Sequence, residues 1–169
     1  ITIGIRNDLL DEITFSFPQE HEYKPVLRDV LLDCPEGPGV PYGENKRKIF
    51  EMVPPGGYWR DIAPEIAKAY MKSCWDMEGG RTGILRRMSL DEPSLTVLTS
   101  PSQKQTERCH PLEARPFTVR ENARCQTFPD EWQFCGSIQS QYKQVGNAVP
   151  VNLAYEIALE IHKSLEGVK

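Results

Sequence analysis

Basic side chains cluster in the middle of the chain, in a stretch whose chemistry suits nucleic-acid binding. Arg81, Arg86 and Arg87 lie just before an extended region, and Lys104 and Arg108 lie within it. Guanidinium and ammonium groups neutralise phosphates, and a guanidinium can also bond a guanine edge through two parallel hydrogen bonds. The alternative is a solvated charged face without a ligand. Composition alone favours the solvated face, and both interpretations stay open at this point for Arg86, Arg87, Lys104 and Arg108.

Hydroxyl and amide side chains accompany these cations. Residues 94–100 read Ser-Leu-Thr-Val-Leu-Thr-Ser, so several hydroxyls could reach phosphates or base edges, and Gln103 carries an amide of the kind that bonds adenine. An ordinary strand rich in Thr and Val would show the same pattern, because these residues favour strands. Both interpretations stay open for Thr96 and Val97, and Gln103 is a further candidate contact.

Nucleophiles and metal ligands are present, but not in a spacing that indicates a site. The five cysteines are an odd number without a CxxC pair, which argues against a disulfide framework and against zinc. The three histidines have no metal-like spacing either. We therefore expect reduced thiols and no metal. The residues concerned are Cys34, Cys74, Cys109, Cys125, Cys135, His21, His110 and His162.

The composition indicates a folded domain with many loops. Hydrophobic residues make up 39% of the 169 residues, and the 14 prolines exceed average usage. The formal net charge of −4 excludes a domain that is basic overall, so any DNA contact must come from a local patch. No apolar run has the length of a membrane span and no signal peptide is present, so we expect a soluble, intracellular protein.

Four segments have the features of short or amphipathic helices. They cover residues 24–32, 44–52, 64–77 and 150–165. Proline at the first turn suits the start of three of them. The last segment has the most regular apolar stripe, and such a stripe needs a surface to cover. It consists of Val151, Ala154, Ile157, Ala158, Ile161 and Leu165.

A fifth helix is predicted by its capping residues. Thr118 and Glu121 form a capping-box signature, in which each side chain bonds the backbone N–H of the other residue. The helix should extend to about Thr127, because Pro129 ends it.

The remaining segments predict strands. Residues 1–5 are rich in β-branched side chains, and residues 81–117 have no helical period but contain short extended pieces between Pro, Ser and Gly. A strand signal at residue 1, with no preceding Met, leads us to interpret the chain as a fragment of a longer protein.

Two segments, in order and at the right spacing, resemble conserved blocks of the cytosine-C5 DNA methyltransferases. Residues 115–130 read RPFTVRENARCQTFPD, which is similar to the family's ninth block. Residues 141–154 read QYKQVGNAVPVNLA, which is similar to its tenth block. More weakly, residues 1–8 resemble the strand that follows the eighth block.

The resemblance implies a particular α+β architecture. Residues 1–17 would be the last strand segment of an α/β catalytic domain that binds S-adenosylmethionine. Residues 18–140 would be a small, irregular, mostly-β target-recognition domain with a few helices. Residues 141–169 would carry the tenth block and a C-terminal helix that returns to the catalytic domain. The implied protein is bacterial and cytoplasmic, and its partners are double-stranded DNA and the missing catalytic part.

The family's catalytic blocks do not occur in this sequence. The Phe-x-Gly-x-Gly cofactor block, the Pro-Cys block whose thiolate attacks cytosine C6, and the Glu-Asn-Val block are all absent. Cys34 precedes Pro35 instead of following it, and Glu44-Asn45 is followed by Lys46. We therefore assign no catalytic residue in this chain, and we expect the chain alone to be inactive.

The resemblance also implies roles for particular residues. It leads us to predict that Arg86, Arg87, Lys104 and Arg108 contact DNA. Thr96-Val97 resembles the Thr-Leu/Ile/Val pair that lies near the flipped base in the family. The ninth block would organise the recognition domain through Arg115, Thr118, Arg120, Glu121 and Arg124. The tenth block would border the S-adenosylmethionine pocket through Asn147, Ala148 and Val149, with the remainder of that pocket outside this chain.

Three other interpretations stay open. The chain could be the small subunit of a naturally split methyltransferase, a DNA-binding module without enzymatic connection, or part of a family member that acts on RNA. A pure binding module would have no use for a turn that borders a cofactor pocket. The leading hypothesis is the recognition and cofactor-bordering part of a restriction–modification methyltransferase.

Overall fold

The computed structural model describes residues 1–101 and 103–166, with Lys104 described by its backbone alone. This part of the chain forms two compact units. The larger unit is Lys24–Ala148, and the smaller unit combines Ile1–Tyr23 with the segment that begins at Val149. The α-helices are α1 (Leu27–Leu31), α2 (Glu44–Met52), α3 (Pro64–Met71), α4 (Val119–Cys125), α5 (Ile138–Asn147) and α6 (Val151–Leu165). Single turns of 3-10 helix lie at Asn7–Leu9, Trp59–Asp61, Lys72–Asp76 and Lys104–Thr106.

The five helices that the sequence predicts are present. The bounds of α2 match the prediction, and α3 begins with Pro64 at its first turn. It ends earlier than predicted because Lys72 has a φ of 52°, which a right-handed helix cannot continue. The capping box of α4 is confirmed. Within the described residues, no helix combines the length and the apolar character that crossing a membrane requires.

The predicted mostly-β architecture is wrong. The described residues contain no β-strand, and their only bridges are isolated ones, Arg87 with Cys109 and Cys109 with Pro116. A strand requires a neighbour to bond its backbone, and prolines remove donors from the 81–117 segment. Backbone groups there make scattered bonds: the Met88 N–H donates to the Cys109 carbonyl at 3.0 Å, and the Leu85 N–H donates to the Glu107 carboxylate at 2.6 Å.

The strand predicted at residues 1–5 is also wrong. These residues have no regular secondary structure. Their β-branched composition favours a strand only where a partner strand receives them, and none occurs in the described part of the chain.

Helix α5 was not predicted. Ser137 caps its N-terminus, since the Ser137 hydroxyl accepts the Ser140 N–H at 3.2 Å. Tyr142 and Val145 bury one face of the helix. The Gly146-Asn147 pair indicates a turn when it is considered alone, whereas the structure includes both residues in the last turn of α5.

Three hydrophobic clusters form the interior of the larger unit. One surrounds Phe50 and Leu85, which are fully buried. The second consists of Leu27, Leu31, Met88 and Phe117. The third joins α4 to α5 and consists of Val119, Ala123, Tyr142 and Val145, with Val97 packed against it. Burial of each such large side chain contributes about 1.5–3 kcal/mol, so this third cluster holds the two helices firmly together.

The smaller unit leaves much of its apolar surface uncovered. Of the stripe predicted on α6, only Ile157 is buried, whereas Val151, Ile161 and Leu165 are between 38% and 47% exposed. An apolar pocket of about 190 Å³ is lined by side chains from both parts of this unit, among them Ile5, Phe15 and Ile161. The stripe is therefore a real face of the helix that this unit does not cover.

Candidate nucleic-acid interface

The start of α4 is a hydrogen-bonded assembly built around the carboxylate of Glu121. This carboxylate accepts the Thr118 N–H at 2.7 Å and two guanidinium N–H groups of Arg115, each at 2.8 Å. Burial, the largest single influence, opposes ionisation of Glu121. The hydrogen bonds from Arg115 and from the Thr118 N–H outweigh burial and hold the pKa of Glu121 below its usual value. Glu121 is thus an ionised, buried carboxylate whose partners are all internal.

Two arginines that lie within α4 itself bond neighbouring loops. Arg124 forms a two-bond pair with Asp130, at 2.9 and 2.7 Å, and bonds Asp33 at 2.6 Å. Arg120 donates to the Pro129 carbonyl at 3.1 Å and to the Trp132 carbonyl at 2.5 Å. Each of these contacts joins the helix to a loop. The guanidinium groups of Arg120 and Arg124 therefore bond groups of the protein itself.

The guanidinium of Arg87 also faces the interior. It donates to the carbonyl groups of Phe50, Val53 and Pro111, at 3.3, 3.0 and 3.2 Å. These three contacts indicate a structural role. The prediction that Arg87 contacts DNA stays a prediction, and its geometry does not favour it.

Arg86 and Arg108 differ from the arginines described above. The Nε atom of each is buried and has no hydrogen-bond partner in the described part of the chain. Arg86 makes one ion pair, with Glu92 at 3.3 Å, and Arg108 bonds only the carbonyl of Glu107 at 3.1 Å. Burial lowers the pKa of Arg108, and the positive charge of Arg86 lowers it further. The two guanidinium groups are close enough to repel, and an anion near them would relieve that repulsion.

The segment that carries Thr96 and Val97 runs beside Arg108. Thr96, Val97 and Arg108 line one narrow pocket together with Asn122 of α4 and Tyr142 of α5. The pocket has a volume of about 30 Å³, which is enough for a water-sized group and too small for a nucleobase. The structure thus brings Thr96, Val97 and Arg108 together on the α4–α5 scaffold.

The other predicted contacts lie in the loop that precedes Arg108. Gln103 is exposed, and its side-chain oxygen accepts the Thr106 hydroxyl at 3.0 Å. The side chain of Lys104 lies outside the described residues. The structure therefore assigns neither residue a position against the pocket.

Sequence reasoning missed a buried carboxylate that shapes this loop. Glu107 is 1% exposed, and its carboxylate accepts the Tyr70 hydroxyl and pairs with the Lys46 ammonium, both at 2.5 Å. The Glu107 N–H donates to the Gly83 carbonyl at 2.8 Å. Together with the bond to the Leu85 N–H, these contacts fix the backbone from which Arg86 projects.

The tenth-block residues lie at the end of α5. The Gln126 side-chain amide donates to the carbonyls of Val145 and Ala148, both at 3.0 Å. The Asn147 side chain, next to these two bonds, is exposed, and Val149 is 51% exposed. An exposed amide can bond the polar part of a ligand. That Asn147, Ala148 and Val149 border S-adenosylmethionine stays a prediction, and sequence reasoning missed the role of Gln126.

The two residues whose neighbours partly resemble the catalytic blocks, Cys34 and Glu44, do not have the surroundings of catalytic groups. Burial raises the pKa of the Cys34 thiol to about 11, which disfavours the reactive thiolate. Glu44 is the exposed first residue of α2 and pairs with Lys48 at 2.7 Å. A search of the described residues finds no group of three or more His, Cys, Asp or Glu residues that could hold a metal ion.

Comparison with known proteins identifies related chains. The family model described as C-5 cytosine-specific DNA methylase matches residues 1–163. The Type II methyltransferase M.Sau96I of Staphylococcus aureus is 56% identical over 91% of this chain and 36% of its own length. The Type II methyltransferases M.Eco47II of Escherichia coli and M.PspPI of a Psychrobacter species are 49% and 50% identical, each over 99% of this chain and 42% of its own length. This chain therefore spans less than half the length of these relatives.

Proposed function

The chain belongs to the C-5 cytosine-specific DNA methylase family, and on this premise we propose that it reads target DNA for such an enzyme and completes one edge of its cofactor pocket. The whole protein would transfer a methyl group from S-adenosylmethionine to C5 of cytosine in duplex DNA. It would act in a restriction–modification system, as the Type II methyltransferase names of the relatives suggest.

The observation that carries this proposal is the pair formed by Arg86 and Arg108. Their buried Nε atoms have no partner among the described residues, whereas Arg115 and Arg124 bond carboxylates. A buried guanidinium N–H without a hydrogen-bond partner is unfavourable unless a ligand supplies an acceptor. Phosphate oxygens and the guanine edge are the acceptors that a guanidinium bonds best in nucleic acids. Thr96 and Val97 lie beside Arg108, where they would contact the same DNA.

The cofactor edge would consist of Asn147, Ala148 and Val149. Gln126 holds the backbone here, so the Asn147 amide could bond a ligand without a rearrangement of the turn. When it is bound, S-adenosylmethionine supplies the methyl group. The residues of this chain would contribute position and exclusion of water, whereas the thiolate that activates cytosine would come from outside the chain.

Such a division of labour requires a second part of the protein. Cytosine C5 is unreachable within a duplex, so the base must be flipped out, and a clamp opposite the catalytic domain assists this step. We propose that this chain supplies that clamp and that the exposed stripe of α6 packs against the catalytic domain. The 38–47% exposure of Val151, Ile161 and Leu165 supports a covering partner.

Reconstitution tests the proposal and its alternatives. The chain would be purified alone, as part of its full-length protein, and mixed with the separately produced remainder of that protein. We expect tritium transfer from labelled S-adenosylmethionine to duplex DNA in the last two samples and none with the chain alone. DNA binding with no contribution to methyl transfer would instead identify a separate binding module, and transfer to RNA but not DNA would identify an RNA-directed enzyme. A separate gene for the catalytic part would identify a split enzyme.

A further inference from the structure

Gly146 occupies a helical position where glycine is unfavourable. It lies in the last turn of α5, and glycine within a helix lowers stability by about 0.5–1 kcal/mol relative to alanine. A methyl group at this position would lie 2.5 Å from the Leu98 carbonyl carbon and 2.5 Å from the Thr99 nitrogen. Unbonded carbon atoms pack at about 3.5–4.0 Å. Glycine is therefore required here, because the 98–99 backbone occupies the space that a side chain would fill.

This contact ties the candidate reading segment to the scaffold. Val97 packs on the buried cluster that α4 and α5 share, and the next two residues lie directly against Gly146. Thr96 and Val97 line the pocket with Arg108. The segment thus has two adjacent attachments to α5, one through a side chain and one through its backbone.

Gly146 lies next to the 98–99 backbone on one side, and in the chain it directly precedes the candidate cofactor edge. Asn147 follows it directly, and Gln126 bonds the carbonyls of Val145 and Ala148 on either side. No flexible side chain separates the 98–99 backbone from the helix end. A displacement of one must therefore move the other, because packed backbones have little room to adapt.

We infer that Gly146 is a positioning residue that keeps the 96–99 segment in register with Asn147 and Ala148, so that target DNA and the methyl donor bind cooperatively. This inference rests on the proposed function. Linkage requires the coupling to be reciprocal: DNA must strengthen cofactor binding by the same factor as cofactor strengthens DNA binding.

The test measures that coupling in the full-length protein. The dissociation constant of S-adenosylhomocysteine, an unreactive donor analogue, is determined by calorimetry with and without a 30-base-pair duplex that the wild-type protein methylates. We expect the duplex to tighten binding at least about fivefold in the wild type, which is the lower end of typical coupling. In Gly146→Ala this factor should fall towards one. Gly43→Ala is the matched control and should keep the wild-type factor, because nothing lies within 4 Å of a methyl group at residue 43 and its φ is −61°.

Each outcome decides the question. An unchanged factor in a folded Gly146→Ala protein overturns the inference, and so does a factor of one in the wild type. Failure of the wild type to bind either ligand overturns the proposed function instead. If Gly146→Ala does not fold, Val97→Ala loosens the same segment without a steric clash. That variant should reduce the factor, and an unchanged factor there would equally reject the inference.

Discussion

Two sets of arginines belong to the larger unit, and their hydrogen-bond partners differ. Arg115 and Arg124, both within residues 115–130, each bond carboxylates, at distances of 2.6–2.9 Å. Arg86 and Arg108 have buried Nε atoms without partners in the described residues. The motifs place Arg115 and Arg124 in a block that resembles a structural one, but the sequence does not show which hydrogen bonds any of these arginines makes. Hydrogen-bond partners thus divide these four arginines. Arg81 combines both features, since its Nε atom is buried without a partner in the described residues and its guanidinium donates to the carbonyls of Cys74 and Trp75.

The largest effect should follow from removing the charge of the Glu121 carboxylate, which Arg115 bonds. Glu121→Gln removes the charge that Arg115 and the Thr118 N–H surround, and we expect a loss of about 3 kcal/mol in the free energy of unfolding. Urea denaturation followed by tryptophan fluorescence measures this change, because Trp59, Trp75 and Trp132 all belong to the larger unit.

Glu113→Gln is the control for this variant. Glu113 bonds the same arginine at 2.9 Å, but its side chain is 60% exposed, so its loss should change stability by less than about 1 kcal/mol. Equal effects of the two substitutions would mean that burial does not distinguish the bonded arginines.

Adjacent residues in the chain allow a closer comparison. Arg87→Ala removes donors to three backbone carbonyls and should lower the free energy of unfolding by about 2 kcal/mol. Arg86→Ala should change stability little but weaken duplex binding, which a fluorescence anisotropy titration of the full-length protein measures. The reverse result, a stable Arg87→Ala protein with weak DNA binding, would support the original prediction that Arg87 contacts DNA.

Substitution of Arg108 should change DNA binding rather than stability. Arg108→Met keeps the length of the side chain and should weaken duplex affinity by roughly tenfold at moderate salt. If Arg108 bonds a phosphate, the slope of log affinity against log salt should also fall by about one. Arg28→Met has the same charge change at an arginine that already pairs with Asp91 at 2.6 Å, and it serves as the control. Identical losses in the two variants would reduce the role of Arg108 to general charge.

Local signals explain which parts of the fold the sequence predicts. The capping pair Thr118 and Glu121 predicts α4 because both partners lie within one turn. Strand formation depends on a partner strand, so the β propensity of residues 95–99 predicted a region that the structure does not contain. Helix α5 was missed because Gly146 and Asn147 indicate a turn, whereas the glycine is explained by the approach of a distant backbone.

The site shows the same limit. Glu107 has no local signature, and its partner Tyr70 lies 37 residues away. Arg86 and Arg87 are chemically identical neighbours, so only the folded chain reveals that one of them bonds carbonyls of distant residues. The motifs predict which segments matter, whereas the partner of each charge depends on long-range packing.

The smallest expected effect concerns pH and the histidine beside the bonded set. His110 is 4% exposed, and the Leu112 N–H donates to its Nδ1 atom at 3.2 Å, so the imidazole is held neutral. Burial lowers the pKa of His110; Arg115 and Arg87 act in the same direction, whereas Glu121 and Glu113 oppose it.

Because folding lowers the pKa of His110, the unfolded chain takes up a proton at a higher pH than the folded chain does. Stability should then fall as the pH is lowered from 7.5 through the ordinary histidine pKa of 6.5. Urea titrations across this range should show a flatter dependence in His110→Gln, which has no proton to gain, while His21→Gln, at an exposed histidine, should follow the wild type. A wild-type protein that gains stability on acidification would show that Glu121 stabilises a charged imidazole, and that His110 belongs with the paired cations.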